Sequence, residues 1–263
     1  MNTSLPELEL IDLYYNYDAG LLDRFYTEVL VPSFNVYPDD LESADAMHQQ
    51  LSAGNTDAAS PRIQHIAILQ HKTTGVVLAG MSFEYFKRSN VGLVAYLATN
   101  PHVDTRGLQL SVQLVDYCTR IFIAQAKVHG HGMPAAVFME SNSDAVSRDV
   151  MVPARRRSIL SKLGTRYLDF DYVSPHVESG KQKNRRMLLG VASVFCTTDD
   201  AGHLGVQSDL VKAFLVDFYT MAMGPAAIKS DVDVLRQLRW LETHPFVPLE
   251  AEEMARQRPR SML

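Results

Sequence analysis

Cysteine is scarce in this chain: its 263 residues hold two, Cys118 and Cys196. Two cannot form a disulfide framework, and both lie in apolar stretches, so they are expected to be buried free thiols. No run comes near the roughly 20 apolar residues that a bilayer-spanning helix requires. The first ten residues, MNTSLPELEL, contain no apolar signal segment. A soluble, cytoplasmic protein is expected, without membrane contact. Excess positive charge is also missing. Lys and Arg number 25 against 30 Asp and Glu, a formal charge of −5, which argues against general binding to nucleic acid. There is no Walker loop, no Cys/His zinc spacing, and no glycine elbow around Ser111, Ser141 or Ser143. His129-Gly130-His131 has no cysteine or carboxylate neighbour, so no metal is expected there. No internal repeat is present.

What the chain does have is a 46% hydrophobic content, enough for a full core. One stretch organises the rest. Val91 to Thr99 is apolar, with the β-branched and aromatic residues of a buried strand. Asn100-Pro101 ends it, because proline cannot donate to a sheet ladder. A polar turn containing Gly107 follows. Leu110, Leu114, Val115, Cys118, Ile121 and Phe122 then recur at helical spacing. In a strand–turn–helix unit of this kind, the free N–H groups at the helix start and the helix dipole favour an anion, phosphate above all.

The remaining elements follow from periodicity and punctuation. Glu9 to Tyr17 reads as a strand. Asp18 can cap a helix from Ala19 to Ser33 whose apolar face is Leu21, Leu22, Phe25, Val29 and Leu30. Asp39 and Asp40 open a second helix ending near Gly54, and Asn55 to Pro61 reads as a loop. Ile63 to Leu69 and Val76 to Phe86 are strands joined by a short turn, which suggests antiparallel pairing. Ala135 to Glu140 is a short strand, and Asn142 to Val152 a polar loop. Pro153 opens a helix that ends at Gly164. Arg166 to Val173 and Arg186 to Phe195 read as strands, and Leu204 to Met223 and Asp231 to Glu242 as helices.

The order is βααβββαβαββ followed by αα. Across residues 8 to 195 it resembles the GNAT acyltransferases, which move acyl groups from acyl-CoA to amines. The turn of that family reads Arg/Gln-x-x-Gly-x-Gly/Ala. Here the aligned residues are Asp104-Thr105-Arg106-Gly107-Leu108-Gln109, of which the central Gly107 fits. Pro153 to Tyr167 resembles the family's helix after the fifth strand, with Thr165 where an aromatic is usual. The resemblance implies a mixed α/β fold with a mostly antiparallel central sheet flanked by helices. The domain would span 8–195, with a two-helix extension at 196–249, a flexible N-terminus at 1–7 and a flexible tail at 250–263. The extra helices leave room for a homodimer contact.

The resemblance also implies acetyl-CoA or another acyl-CoA as cofactor. Leu97, Ala98 and Thr99 would pair with the pantetheine arm, and backbone N–H groups of Arg106, Gly107, Leu108, Gln109 and Leu110 would hold the pyrophosphate. Asn142, at the start of the loop after the strand Ala135 to Glu140, would border the arm. The Arg106 guanidinium could add a charge-assisted bond. Asp104 opposes an anion unless it turns outward, and it is expected to cap the helix with its own carboxylate. Glu84 and Glu140 each follow apolar residues and are candidate bases. The family's acidic tyrosine falls at Leu160, so Tyr96 is the candidate acid, with Tyr85, Tyr167 and Tyr172 as substitutes. Arg155-Arg156-Arg157 with Lys162 forms a basic helix face that could meet a phosphate.

The expected activity is therefore N-acyl transfer, acetyl above all, by direct attack of a small-molecule or peptide amine. The departures at Asp104, Gln109 and Leu160 leave two alternatives: a GNAT-fold binding or regulatory protein without catalysis, and a biosynthetic acyltransferase that takes its acyl group from a carrier protein.

Overall fold

The structure, a computed structural model, describes residues 7–34, 36–54, 60–146 and 149–251. The segments expected to be flexible, 1–7 and 250–263, and the loop at 55–61 lie largely outside those residues. The chain forms two compact units, one of Met1–Lys87 with Gly92–Pro134, the other of Arg88–Val91 with Ala135–Leu263.

In the first unit the strands are β1 (Leu8–Asp12), β2 (Arg62–His71), β3 (Val77–Phe86) and β4 (Val91–Thr99), in that spatial order. β1 and β3 pair antiparallel with β2. Every residue of β3 is buried, which requires cover on both faces. One cover is the helix that begins as α1 (Ala19–Phe25), passes through a π turn at Tyr26–Leu30 and continues as α2 (Val31–Phe34), together with α3 (Ala44–Gly54). Leu21, Leu22, Phe25, Val29, Met47 and Leu51 form one cluster with Ile66 and Ile68 of β2. Asp18 caps α1 as its spacing predicts, accepting from the Leu21 N–H at 2.9 Å. The other cover is α4 (Leu110–Val128), whose Phe122 meets Phe83 edge-on at 5.3 Å.

The second unit holds β5 (Ala136–Asn142), β6 (Thr165–Tyr167) and β7 (Met187–Ala192), with β7 antiparallel to both neighbours. α5 (Pro153–Lys162) precedes β6. A three-stranded sheet of β8 (Thr197–Thr198), β9 (Leu204–Gln207) and β10 (Phe246–Pro248) follows, with β9 central. The helices α6 (Ser208–Met223), α7 (Ala227–Ser230) and α8 (Val232–Thr243) complete it. The class is mixed α/β with antiparallel strands and flanking helices, as expected.

Several boundaries differ for identifiable reasons. β1 stops at Asp12 instead of reaching Tyr17, because the Asp12 carbonyl and carboxylate capture the N–H groups of Tyr14, Tyr15 and Asn16 in a turn. Asp39 and Asp40 sit in a 3₁₀ turn, and α3 starts four residues later under a Ser43 cap. β6 ends at Tyr167: the Leu168 N–H still donates to Leu189 O of β7 at 3.0 Å, but Leu168 also bridges Leu249, and the Asp169 N–H turns to Pro248 O. Leu204 to Gln207 is a strand, so α6 begins at Ser208. The extension thus holds a small sheet besides its two long helices. Cys118 is buried, but Cys196 only half so.

Close packing sets two glycines. A Cβ on Gly80 would lie 2.3 Å from Phe25 Cε2, and one on Gly92 would lie 2.6 Å from Phe122 Cζ. Gly80→Ala is therefore expected to destabilise the protein by about 1–3 kcal/mol through overpacking against Phe25. A melting temperature equal to that of the parent protein would contradict this placement of α1.

Candidate functional site

β4 ends because Asn100 closes it. Asn100 is 3% exposed, donates through its N–H to Leu78 O (2.8 Å) and through Nδ2 to Val77 O (2.8 Å), and accepts from the His102 N–H. The side chain thereby locks the end of β4 to β3 and starts the turn. Gly107 follows in the left-handed region at φ +80°, with nothing within 4 Å of an added Cβ. Gln109 is left-handed as well, at φ 52°, a conformation that non-glycine residues adopt only when their surroundings impose it. Gln113 Nε2 donates to Leu108 O at 3.0 Å and ties the turn to α4. Among the described residues the N–H groups of Gly107, Gln109, Leu110 and Ser111 have no acceptor within the chain.

Asp104 does not cap α4, contrary to expectation. Its carboxylate grips Arg106 in a fork, Nε to Oδ1 at 2.8 Å and Nη2 to Oδ2 at 2.6 Å, and also accepts the Arg106 N–H at 3.2 Å. Among the described residues no side chain caps the start of the helix. The guanidinium hydrogen bonds hold the Asp104 carboxyl down at about 2, so the pair stays ionised at any ordinary pH. Both groups are exposed. Arg106, expected to reach for an anion, is occupied by its own neighbour.

Two other site residues of the first unit prove to be connected. Glu84 is 5% exposed, on β3, with Oε1 bonded to Arg62 Nη1. Arg62 Nη2 donates to Gln50 Oε1 at 2.5 Å, and Gln50 Nε2 donates to Glu42. The Glu42 N–H donates to the Tyr96 hydroxyl at 3.0 Å, and that hydroxyl donates to Asp40 O at 2.8 Å. Glu84 and Tyr96 are therefore the two ends of one chain through Arg62, Gln50 and Glu42. Burial raises the Glu84 carboxyl above the usual range, against the opposing pull of Arg62. Among the described residues its Oε2 has no hydrogen-bond partner, nor do Oε1 of Gln64, directly opposite in the ladder, and Oγ of Ser82. Tyr85 is buried, and desolvation raises its hydroxyl pKa. Leu97 and Ala98 are half-buried and Thr99 exposed.

Glu140 and Asn142 lie in the second unit. Glu140 accepts from the Tyr172 hydroxyl at 2.6 Å, and burial with this carboxylate pushes the Tyr172 pKa well up. Asn142 Nδ2 donates to Asp149 at 3.0 Å, and Asp149 also grips Arg156. Arg157 is bonded to Glu250 and lies over the Tyr167 ring at 5.0 Å. Two of the three arginines read as a basic helix face are thus already neutralised.

Sequence reading missed Glu42, Gln50 and Arg62, which have no motif and meet only when α3 packs on β2. It also missed a second buried polar cluster. Asp12 Oδ2 accepts from His65 Nδ1 (2.7 Å) and from the Tyr117 hydroxyl (2.9 Å), and Gln125 Nε2 lies 3.2 Å from His65 Nε2. A histidine within the apolar run of β2 was the only available signal. Among the described residues no group of three His, Cys, Asp or Glu is placed to hold a metal, and no helix is long and apolar enough to cross a membrane.

No family model and no curated protein matches the chain. Among solved structures it is similar to a putative acetyltransferase from GNAT family from Bacteroides thetaiotaomicron, at TM-score 0.47 and 16% identity, covering 83% of this chain and 98% of that one. It is also similar to spermidine N-acetyltransferase from Vibrio cholerae in complex with CoA and spermine, at TM-score 0.45 and 11% identity, with 72% and 97% covered. A third is the ribosomal-protein-S18-alanine N-acetyltransferase from Escherichia coli, at TM-score 0.42 and 11% identity, with 74% and 98% covered.

If Asp104 only restrains Arg106, Asp104→Asn frees a cation beside the unpaired N–H groups. Binding of inorganic pyrophosphate is expected to tighten roughly 3- to 10-fold, less at high salt, because exposed charges are screened. The melting temperature is expected to stay put, since no cap is lost. A fall in melting temperature with unchanged affinity would restore the capping role.

Proposed function

We propose that the chain is an acyl-CoA-dependent N-acyltransferase, most simply an N-acetyltransferase, acting on an amine by direct transfer. The observation that carries this reading is the start of α4. A strand closed by Asn100, two left-handed turn residues and a 19-residue helix leave four N–H groups with no acceptor among the described residues, an arrangement suited to phosphate. When bound, acyl-CoA would supply the acyl thioester. The residues of this chain that would hold it are Leu97, Ala98 and Thr99 along β4 and the N–H groups of Gly107, Gln109, Leu110 and Ser111; those of Arg106 and Leu108, expected to join them, are taken by Asp104 Oδ1 and Thr105 O.

A base must take the amine's proton as the nitrogen attacks. Glu84 suits that role better than Glu140. Its pKa is raised, one oxygen is fixed by Arg62 and the other is free, whereas Glu140 accepts the Tyr172 hydroxyl. Tyr96 would contribute by position, since its hydroxyl serves the backbone at Asp40 and Glu42.

A second reading has its own support. The closed Asp104–Arg106 fork removes the turn's one cation, which suits a binding or regulatory protein that no longer catalyses. Two measurements separate them. Calorimetric titration with acetyl-CoA is expected to give saturable heat; none at millimolar concentration overturns the acyl-CoA proposal. Thiol release over a panel of amines is expected to fall by about 10²- to 10⁴-fold in Glu84→Gln. A base works only when deprotonated, so the parent rate should drop as pH falls through the raised Glu84 pKa. The variant's residual rate should lack that acid limb. Saturable acetyl-CoA binding with no turnover of any amine selects the second reading.

A further inference from the structure

In the second unit, a cleft of about 610 Å³ opens between the end of α8, the loop after β6 and the small sheet. Its lining includes Asp169, Asp171, Asp199, His203, Trp240 and His244, and among the described residues it includes no lysine or arginine. The turn of the proposed reaction, at the start of α4, belongs to the first unit.

The cleft is rich in hydrogen-bond acceptors. The Asp169 carboxylate has no partner within the chain among the described residues. Asp171 is met by Arg236, which lies outside the lining. Asp199 accepts the N–H groups of Ala201 and His203 at 3.0 and 2.7 Å; those bonds and the His203 ring lower its pKa and keep it charged. Both imidazoles are held in one tautomer when neutral. His203 Nδ1 lies 3.1 Å from Asp199 Oδ2, and His244 Nδ1 lies 2.9 Å from Trp240 O. A carboxylate and a carbonyl can only accept, and the Thr243 hydroxyl, also 3.0 Å from His244 Nδ1, donates its hydrogen to the carbonyls of Arg239 and Trp240, so each Nδ1 carries the hydrogen and each Nε2 keeps a lone pair. The C-terminal end of α8, a 12-residue helix, adds negative potential. The wall is aromatic. His244 stacks on Trp240 with centroids 4.2 Å apart and planes 6° from parallel, Phe170 tilts against the same indole at 5.3 Å, and Phe246 adds apolar surface.

Carboxylates and imidazole lone pairs over an apolar wall complement a cation that has several N–H donors and a hydrocarbon stem. We propose that this cleft binds an alkylammonium group, from a free polyamine or a lysine side chain, with its N–H groups meeting Asp169, His203 and His244 and its stem against Trp240 and Phe246. An inorganic cation fits less well, because no three ligating side chains converge among the described residues.

Trp240 is the chain's one tryptophan, so its fluorescence reports this cleft directly. The full chain is titrated with 1,5-diaminopentane, with the uncharged 1,5-pentanediol and, in a separate arm, with a short lysine-bearing peptide. A saturable change is expected with the amines and not with the diol. Asp169→Asn is expected to weaken amine binding roughly 3- to 10-fold, more at low salt than at high. His244→Phe, which keeps a ring on the indole and removes the lone pair, is expected to weaken it as well. Saturation by the peptide below the diamine's concentration assigns the cleft to protein-borne lysine, and the reverse order assigns it to a free polyamine. No saturable change, an equal response to the diol, or unchanged affinity in Asp169→Asn overturns the proposal. Acetyl-CoA heat in the same Asp169→Asn protein separates this result from the proposed reaction and checks that the variant is folded.

Discussion

The first unit depends on one constraint: β3 is buried along its whole length. A strand covered on both faces has no water to satisfy its side chains, so each residue must pack or find a partner. Gly80 answers on one face by admitting the Phe25 ring. On the other face Phe83 packs against Phe122. Glu84 is the costly case, a carboxylate with almost no exposure. Arg62 compensates half of it, and through Gln50 and Glu42 the compensation extends to α3 and Tyr96. The unpartnered oxygens of Glu84, Gln64 and Ser82 show that the answer is incomplete. A raised carboxyl pKa is the electrostatic consequence, and raised pKa values are what proton-transfer sites use.

The turn between β4 and α4 works under the opposite condition, in contact with solvent. Its backbone is arranged for an anion, with two left-handed residues and a run of free N–H groups. Its one nearby guanidinium is held in a fork by Asp104. Exposed charges cost little to rearrange, because water and salt screen them. A pair of this kind can therefore restrain Arg106 without deforming the turn, whereas the buried pair at Glu84 cannot be opened cheaply.

The second unit shows how ion pairs fasten irregular chain. Lys183 and Arg185 bind Asp231 and Asp233 at the start of α8, and Asp217 takes both Arg88 and the Ser89 N–H. Around Val173, Gln237 and Tyr219 satisfy a buried backbone that has left the sheet. That is why the expected strand from Arg166 stops so early: after a last bond from the Leu168 N–H to Leu189 O of β7, its later residues bond to a helix and to the C-terminal segment.

Local periodicity by itself determined the long elements. The apolar run at Val91–Thr99, the 3.6-residue stripe of α4, the Asp18 cap and the proline start of α5 all depend on neighbours a few residues away, which is the range a sequence displays. The same holds for Gly107, whose left-handed turn needs no distant partner. Short strands were invisible: β8, β9 and β10 have two to four residues each, too few to show alternation, and Leu204–Gln207 reads like the first turn of the helix it precedes. Charge partnership was also undecidable. Glu84 could be named as a candidate because it follows apolar residues, but Arg62, Gln50 and Glu42 lie 22 to 42 positions away and meet it only through α3 and the β2–β3 register. Asp104 could equally have capped a helix or faced an anion. The tertiary structure chose a third partner two residues on, because a fork between Asp104 and Arg106 depends on the backbone angles of the turn, and composition does not encode those.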